Sequence, residues 1–206
     1  MKNKKIGVKK KNKKAKSTKK PDSKAKILKI TLLLCFAILI LILVAYFYIN
    51  SLREYTYKGV DFTTIQEGKL ILYQTAVPVF NQGNMVPYNF YFRTNPRELV
   101  KMKFDNSDFE LMQNTVLNFQ GSFDCEGYGI IAVANLAQLH DVLEINVIRD
   151  ENATCDERYL LLNLIEGEET EIQRINKNCY NIVIDECEIL KGTERIMLEM
   201  FVKYNE

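Results

Sequence analysis

The sequence predicts an α+β (or α/β) domain displayed outside the cell behind an N-terminal transmembrane helix. Three observations predict it. Residues 30–49 (ITLLLCFAILILILVAYFYI) carry no charge. Several later segments alternate apolar and polar side chains as strands do. Helical stretches at 130–143 and 193–204 are interleaved with those strands, which calls for a layered sheet-and-helix domain. The expected organisation is a Lys-rich, disordered cytoplasmic tail over 1–29, a transmembrane helix over 30–49 and one extracytoplasmic domain over 50–206.

The tail comes first. Residues 1–30 hold 14 lysines and one Asp, while residues 31–206 hold 25 acids against 14 bases. The net charge of +2 and the pI near 8.2 therefore describe neither part. Self-repelling lysines with almost no apolar side chains favour an extended chain. The charge suits anionic lipid, at about 1 kcal/mol per Lys near a membrane surface. Nucleic acid is a less favoured partner, since the rest of the chain is acidic. The favoured reading of the tail is a topology signal alone.

The 20-residue run at 30–49 makes about 30 Å of helix, the thickness of the hydrocarbon core of a bilayer. Tyr46, Phe47 and Tyr48 close it with aromatic rings that favour the interface, and Lys26 and Lys29 open it. A cleaved signal peptide would have a shorter apolar core and a small-x-small site, and Leu43-Val44-Ala45 is a poor one. An uncleaved anchor in the cell membrane is expected. Lysines flanking a span stay on the cytoplasmic side, so the tail is placed inside and residues 51–206 outside.

Strands are expected at 55–62 (YTYKGVDF), 69–80 (KLILYQTAVPVF) and 86–93 (VPYNFYFR). The last two are joined as a hairpin through the five-residue loop 81–85. Pro78 and Pro87 assign parts of these strands to a sheet edge. Thr94-Asn95-Pro96 reads as a turn and 99–104 as a returning strand. After the short apolar run 116–119 and a glycine-bearing loop, 130–143 reads as a helix apolar on most of its circumference, hence deeply packed. Strands follow at 144–148, 159–165, 170–175 and 180–184, with Gly167 marking a hairpin between the middle two. The closing helix, 193–204, sets Ile196, Met200 and Tyr204 on one face with Met197 beside them.

Cys35 lies in the apolar run and behaves there as a small apolar residue. Cys125, Cys155, Cys179 and Cys187 lie outside, where an even count suggests two disulfides. Zinc has no CxxC to use. Cys179 and Cys187 flank an extended strand of about 26 Å, while a disulfide needs Cα atoms within about 7 Å. A hairpin turning at Gly167 would set residue 155 opposite residue 180, which favours Cys155–Cys179 and leaves Cys125–Cys187.

Motifs for nucleotide binding and hydrolysis (GxGxxG, GxxxxGK[ST], HExxH, GxSxG) do not occur, and no cofactor is implied. The one histidine, His140, has Leu136 and Leu143 at helical spacing and reads as a packing residue. Asp124 and Glu126 before the helix at 130 suit a cap rather than a phosphate. Arg93 and Arg97 stand close beside aromatic residues and could grip a carboxylate or phosphate, or pair with the domain's own acids. Asn152-Ala153-Thr154 is an N-x-[ST] glycosylation sequon. The residues point to a membrane-anchored domain that binds or serves as structure. The alternative is an extracytoplasmic enzyme using carboxylates or a free thiol.

The segment YFRTNPREL at 91–99, Asn178-Cys179-Tyr180, Cys187-Glu188-Ile189-Leu190 and Thr193-Glu194-Arg195 resemble parts of uncharacterised single-pass membrane-anchored proteins of small-genome archaea. Absence of Trp and richness in Lys, Ile and Asn fit an AT-rich genome. The resemblance implies the anchor-plus-ectodomain layout and no activity.

Overall fold

The structure, a computed structural model, describes residues 23–206 apart from 82, 122, 124 and 151. Most of the Lys-rich tail lies outside the described residues. The chain forms two compact units, one ending at Tyr48 and the other beginning at Ile49. The first is the body of helix α1 (Ser23–Arg53), which starts seven residues before the apolar run and carries Lys24, Lys26 and Lys29 on its first turns. Its stretch Lys26–Ser51 includes an 18-residue window with a mean hydropathy of 3.1, long and apolar enough to cross a membrane, and none of that window is buried.

The second unit opens with β1 (Glu54–Tyr57), β2 (Val60–Glu67), β3 (Leu70–Asn81) and β4 (Asn84–Phe92), an antiparallel sheet in that order. The segment read as one strand over 55–62 is two. Lys58 and Gly59 both take positive φ (44° and 83°), the two-residue hairpin turn that glycine permits. The β3–β4 hairpin forms as expected, with a tighter turn, because Asn81 pairs directly with Asn84. β2 accompanies β3 only as far as the Thr63–Gln74 pair. Beyond it β3 has β4 alone, so Pro78 removes no ladder bond on the side that β2 has left.

The turn at Thr94-Asn95-Pro96 continues into a short helix, α2 (Pro96–Leu99), instead of a strand over 99–104. Asn95 caps it by accepting the Arg97 N–H at 3.0 Å, and Pro96 takes its first position. Phe104 keeps a single bridge, to Ile172.

β5 (Asn114–Gln120), α3 (Tyr128–Val142) and β6 (Asn146–Ile148) make a β–α–β unit. β7 (Leu160–Glu166), β8 (Glu171–Asn176) and β9 (Cys179–Ile184) complete a second sheet in the order β6-β5-β7-β9-β8. The hairpin expected at Gly167 is overturned. β9 inserts between β7 and β8, parallel to β7 and antiparallel to β8.

The chain ends in α4 (Ile189–Asn205), longer than its sequence pattern suggested and buried almost all round. Phe201 packs on Phe90 and Phe92 of the first sheet, with ring centroids 5.3 and 5.9 Å away. On the other side Gly192 approaches β9 so closely that a Cβ there would lie 2.4 Å from Ile184 Cδ1. Both sheets therefore share α4 as their core. Of the residues expected on one face, Ile196 and Met200 are buried and Tyr204, near the helix end, is 42% exposed.

Candidate functional site

Arg93, Thr94 and Asn95 leave the end of β4 and pass over α4. Glu194 of α4 holds this junction. Its Oε1 accepts the Arg93 N–H at 2.7 Å and its Oε2 the Thr94 N–H at 2.9 Å. Burial pushes the Glu194 carboxyl up to about 7, against the pull of those N–H groups and the Arg93 charge. At the next position, Arg195 Nη1 binds Glu199 Oε2, one helical turn further on, at 3.1 Å, and its guanidinium lies 4.7 Å from the Phe104 ring centroid. Lys58 reaches Glu199 from the β1–β2 turn at 3.8 Å. Glu194 is the described carboxylate whose titration most resembles a catalytic acid. Both its oxygens are taken by backbone donors and it is 1% exposed, the arrangement of a clamp.

The two arginines do not converge. Arg93 lies over Tyr128, 5.7 Å from its centroid. Arg97 lies over Tyr55 at 5.1 Å, and its Nη2 donates to the Glu54 carbonyl at 3.3 Å. A groove of about 480 Å³ contains Arg93, Thr94, Tyr128 and Tyr73, with Glu98, Glu188 and Lys191 on its walls; Arg97 is outside it. Lys191 is already bound to Glu188 at 2.7 Å. Among the described residues no carboxylate lies within salt-bridge distance of Arg93, the other cation of this groove.

A second groove, of about 510 Å³, is apolar. Phe119 and Gly121 at the carboxyl end of β5, Ile130, Val133, Ala134 and Ala137 of α3, and Ile189 line it. β5 has β6 on one side and β7 on the other, and the carboxyl ends of strands at such a reversal are where open sheets leave a crevice. The deep packing expected for α3 holds for Ala132, Leu136 and Leu139 and fails for Ile130, which is 73% exposed.

All four outer cysteines are placed in pairs. Cys155 and Cys179 have Cα atoms 5.7 Å apart, and Cys125 and Cys187 5.3 Å. The pairing matches expectation, for a different reason. β7 and β9 are parallel with Leu161 opposite Cys179, so the chain just before β7 lies beside the start of β9. The second bridge joins the loops that follow the carboxyl ends of β5 and β9. Cys35 is free and exposed on α1. Asn152 is exposed, with its backbone N–H bonded to Asp150 Oδ1. His140 is buried, its Nδ1 2.7 Å from the Leu136 carbonyl, and burial lowers its pKa. Among the described residues no cluster of His, Cys, Asp and Glu could hold a metal ion.

Two features escaped the sequence reading. Glu194, Arg195 and Glu199 look like solvated helix charges until the fold surrounds them. Asn118, Asn163 and Asn181 stand in register across β5, β7 and β9, and Asn163 donates to Asn181 at 3.1 Å. Their signal was a lone Asn inside each of three apolar runs, VLNF, LLLNLI and YNIVI. Comparison with protein-family models, with curated proteins and with solved structures finds no match to this chain.

Proposed function

We propose that this chain is a membrane-tethered extracytoplasmic module that works by binding or as structure, with its Lys-rich tail in the cytoplasm. One observation carries the reading. α1 is apolar over the thickness of a bilayer, no described residue buries it, and β1 begins at the residue after it ends. A helix of that surface leaves water only for lipid, where its internally paired backbone also fits. The lysines at its start set the orientation. The two cysteine pairs suit an oxidising compartment.

With the outer cysteines paired and Glu194 enclosed, the chemistry favours a binding role over thiol or carboxylate catalysis. The grooves beside Arg93 and Ile130 are the surfaces that would serve it. The tail adds attraction to anionic headgroups. Asn152 is sterically open to glycosylation where the host has the machinery. Alkaline extraction of membranes from expressing cells tests the tether. The chain should stay in the membrane pellet, and release into the supernatant would contradict the reading.

A further inference from the structure

Arg93 and Glu98 line the same groove of about 480 Å³, and the two do not pair with each other. Among the described residues no cation lies within salt-bridge distance of the Glu98 carboxylate either. The other two charges of the groove, Glu188 and Lys191, satisfy one another at 2.7 Å. One cation and one anion are therefore held apart in a single groove. Both stand on anchored backbone. Glu194 holds the Arg93 N–H at 2.7 Å, and the Asn95 cap starts α2 with Glu98 in its first turn. The Arg93 guanidinium is backed by the Tyr128 ring, 5.7 Å from its centroid. Tyr73 and Leu190 add apolar wall.

We propose that this groove binds a small zwitterion carrying a carboxylate and an ammonium, as a free amino acid or a short peptide does, with Arg93 taking the carboxylate and Glu98 the ammonium. The inference deepens the binding role proposed above and rests on it. Charge selects the ligand. Arg93 and Lys191 balance Glu98 and Glu188, so the groove has no net charge to offer a simple ion. An anion on Arg93 would face two carboxylates, and a cation on Glu98 would face two basic side chains. A neutral molecule would strip water from two unpaired charges and return nothing. A zwitterion answers both. The guanidinium fork suits a carboxylate held by two parallel hydrogen bonds. The rings of Tyr73 and Tyr128 give the ligand's apolar body a surface to lie on.

The test titrates the full chain in detergent, by calorimetry, with four probes. Phenylalanine and the dipeptide glycyl-phenylalanine carry both charges. Phenylalaninamide lacks the carboxylate, and 3-phenylpropionate lacks the ammonium. At least one zwitterion should bind saturably, and the tighter of the two tells a free amino acid from a peptide. Each one-charge probe should bind at least about tenfold more weakly, since it leaves one charge-assisted bond unmade. Arg93→Gln should weaken the zwitterion about tenfold without weakening phenylalaninamide. Glu98→Gln should weaken it about as much without weakening 3-phenylpropionate. Arg93→Gln keeps the N–H that Glu194 holds and Glu98 is exposed, so both variants should keep the unfolding midpoint of the parent chain. Tighter binding of 3-phenylpropionate than of either zwitterion would make this an anion site and overturn the proposal. Equal affinity for all four probes, or binding that neither substitution weakens, would overturn it and leave a binding role to the apolar groove. Failure of both zwitterions to bind a folded chain that resists alkaline extraction would overturn this site and leave the tether standing.

Discussion

α1 and α4 are both long helices, and their compositions are opposed. α1 has no charged residue over 30–49 and is exposed along its whole apolar stretch. α4 carries Glu194, Arg195 and Glu199 and is buried from Ile189 to Val202 except at Lys191. Burial here follows the available partners rather than the composition. α4's charges find two backbone N–H groups, each other and Lys58. α1's apolar surface finds no partner among the described residues, and it is long and apolar enough to cross a membrane.

Matched substitutions in the two helices should separate these cases. Phe201→Ala removes the ring that touches both Phe90 and Phe92, and about 3–5 kcal/mol of the second unit's stability should go with it. Phe36→Ala, on α1, should leave the second unit's stability unchanged. Denaturant unfolding of the full chain in detergent measures both, and equal losses would break the contrast. Next comes Arg195→Ala. It strands Glu199 in the core with Lys58 as its remaining cation, and should cost about 3 kcal/mol. The reverse experiment, Leu39→Arg, places a charge in mid-α1 and should cost about 3 kcal/mol of insertion. Its readout is the fraction of chain left in the membrane pellet, while unfolding of the second unit stays put.

The cysteine bridges join the loops and strands of the second sheet and do not involve α1. Loops of 24 and 62 residues imply about 3 to 4 kcal/mol each from chain entropy. Reduction should lower the unfolding midpoint and leave the domain folded, and outright unfolding on reduction would show that the core cannot stand without them.

The smallest expected effect is a slope with pH. The folded Glu194 pKa, about 7, lies above its ordinary 4.5. The native state therefore holds a proton that the unfolded chain gives up. That contribution is full below 4.5 and is lost as pH rises towards 7. Stability should thus fall between pH 4.5 and 7 from this group, and Glu194→Gln should flatten that part of the profile. An unchanged slope would place the titration elsewhere.

Local pattern was enough to locate β3, β4, β7 and α4 to within a few residues, because each carries its own period of apolar side chains. It failed at Lys58-Gly59, where alternation runs straight through the turn and hides two strands as one. It failed again at Gly167. Whether β8 or β9 lies beside β7 depends on contacts made after both have formed, so adjacency in sequence misled. The cysteine pairing survived that error because Cys155 and Cys179 sit near the starts of neighbouring parallel strands. Glu194 was illegible for a simpler reason: its partners, the N–H groups of Arg93 and Thr94, lie about 100 residues away. Arg93 and Arg97 are four residues apart and were read as a pair, yet the rings of Tyr128 and Tyr55 draw them to different places.

The central claim is that α1 crosses a membrane with the tail inside and the domain outside. Two reporters with one free cysteine each, in a Cys35→Ser background, test it: Ser17→Cys in the tail and Glu67→Cys at the exposed end of β2. An impermeant maleimide added to intact cells should label Glu67→Cys at once and Ser17→Cys only after the membrane is opened. Labelling of Ser17→Cys in intact cells, with Glu67→Cys protected, would contradict the account.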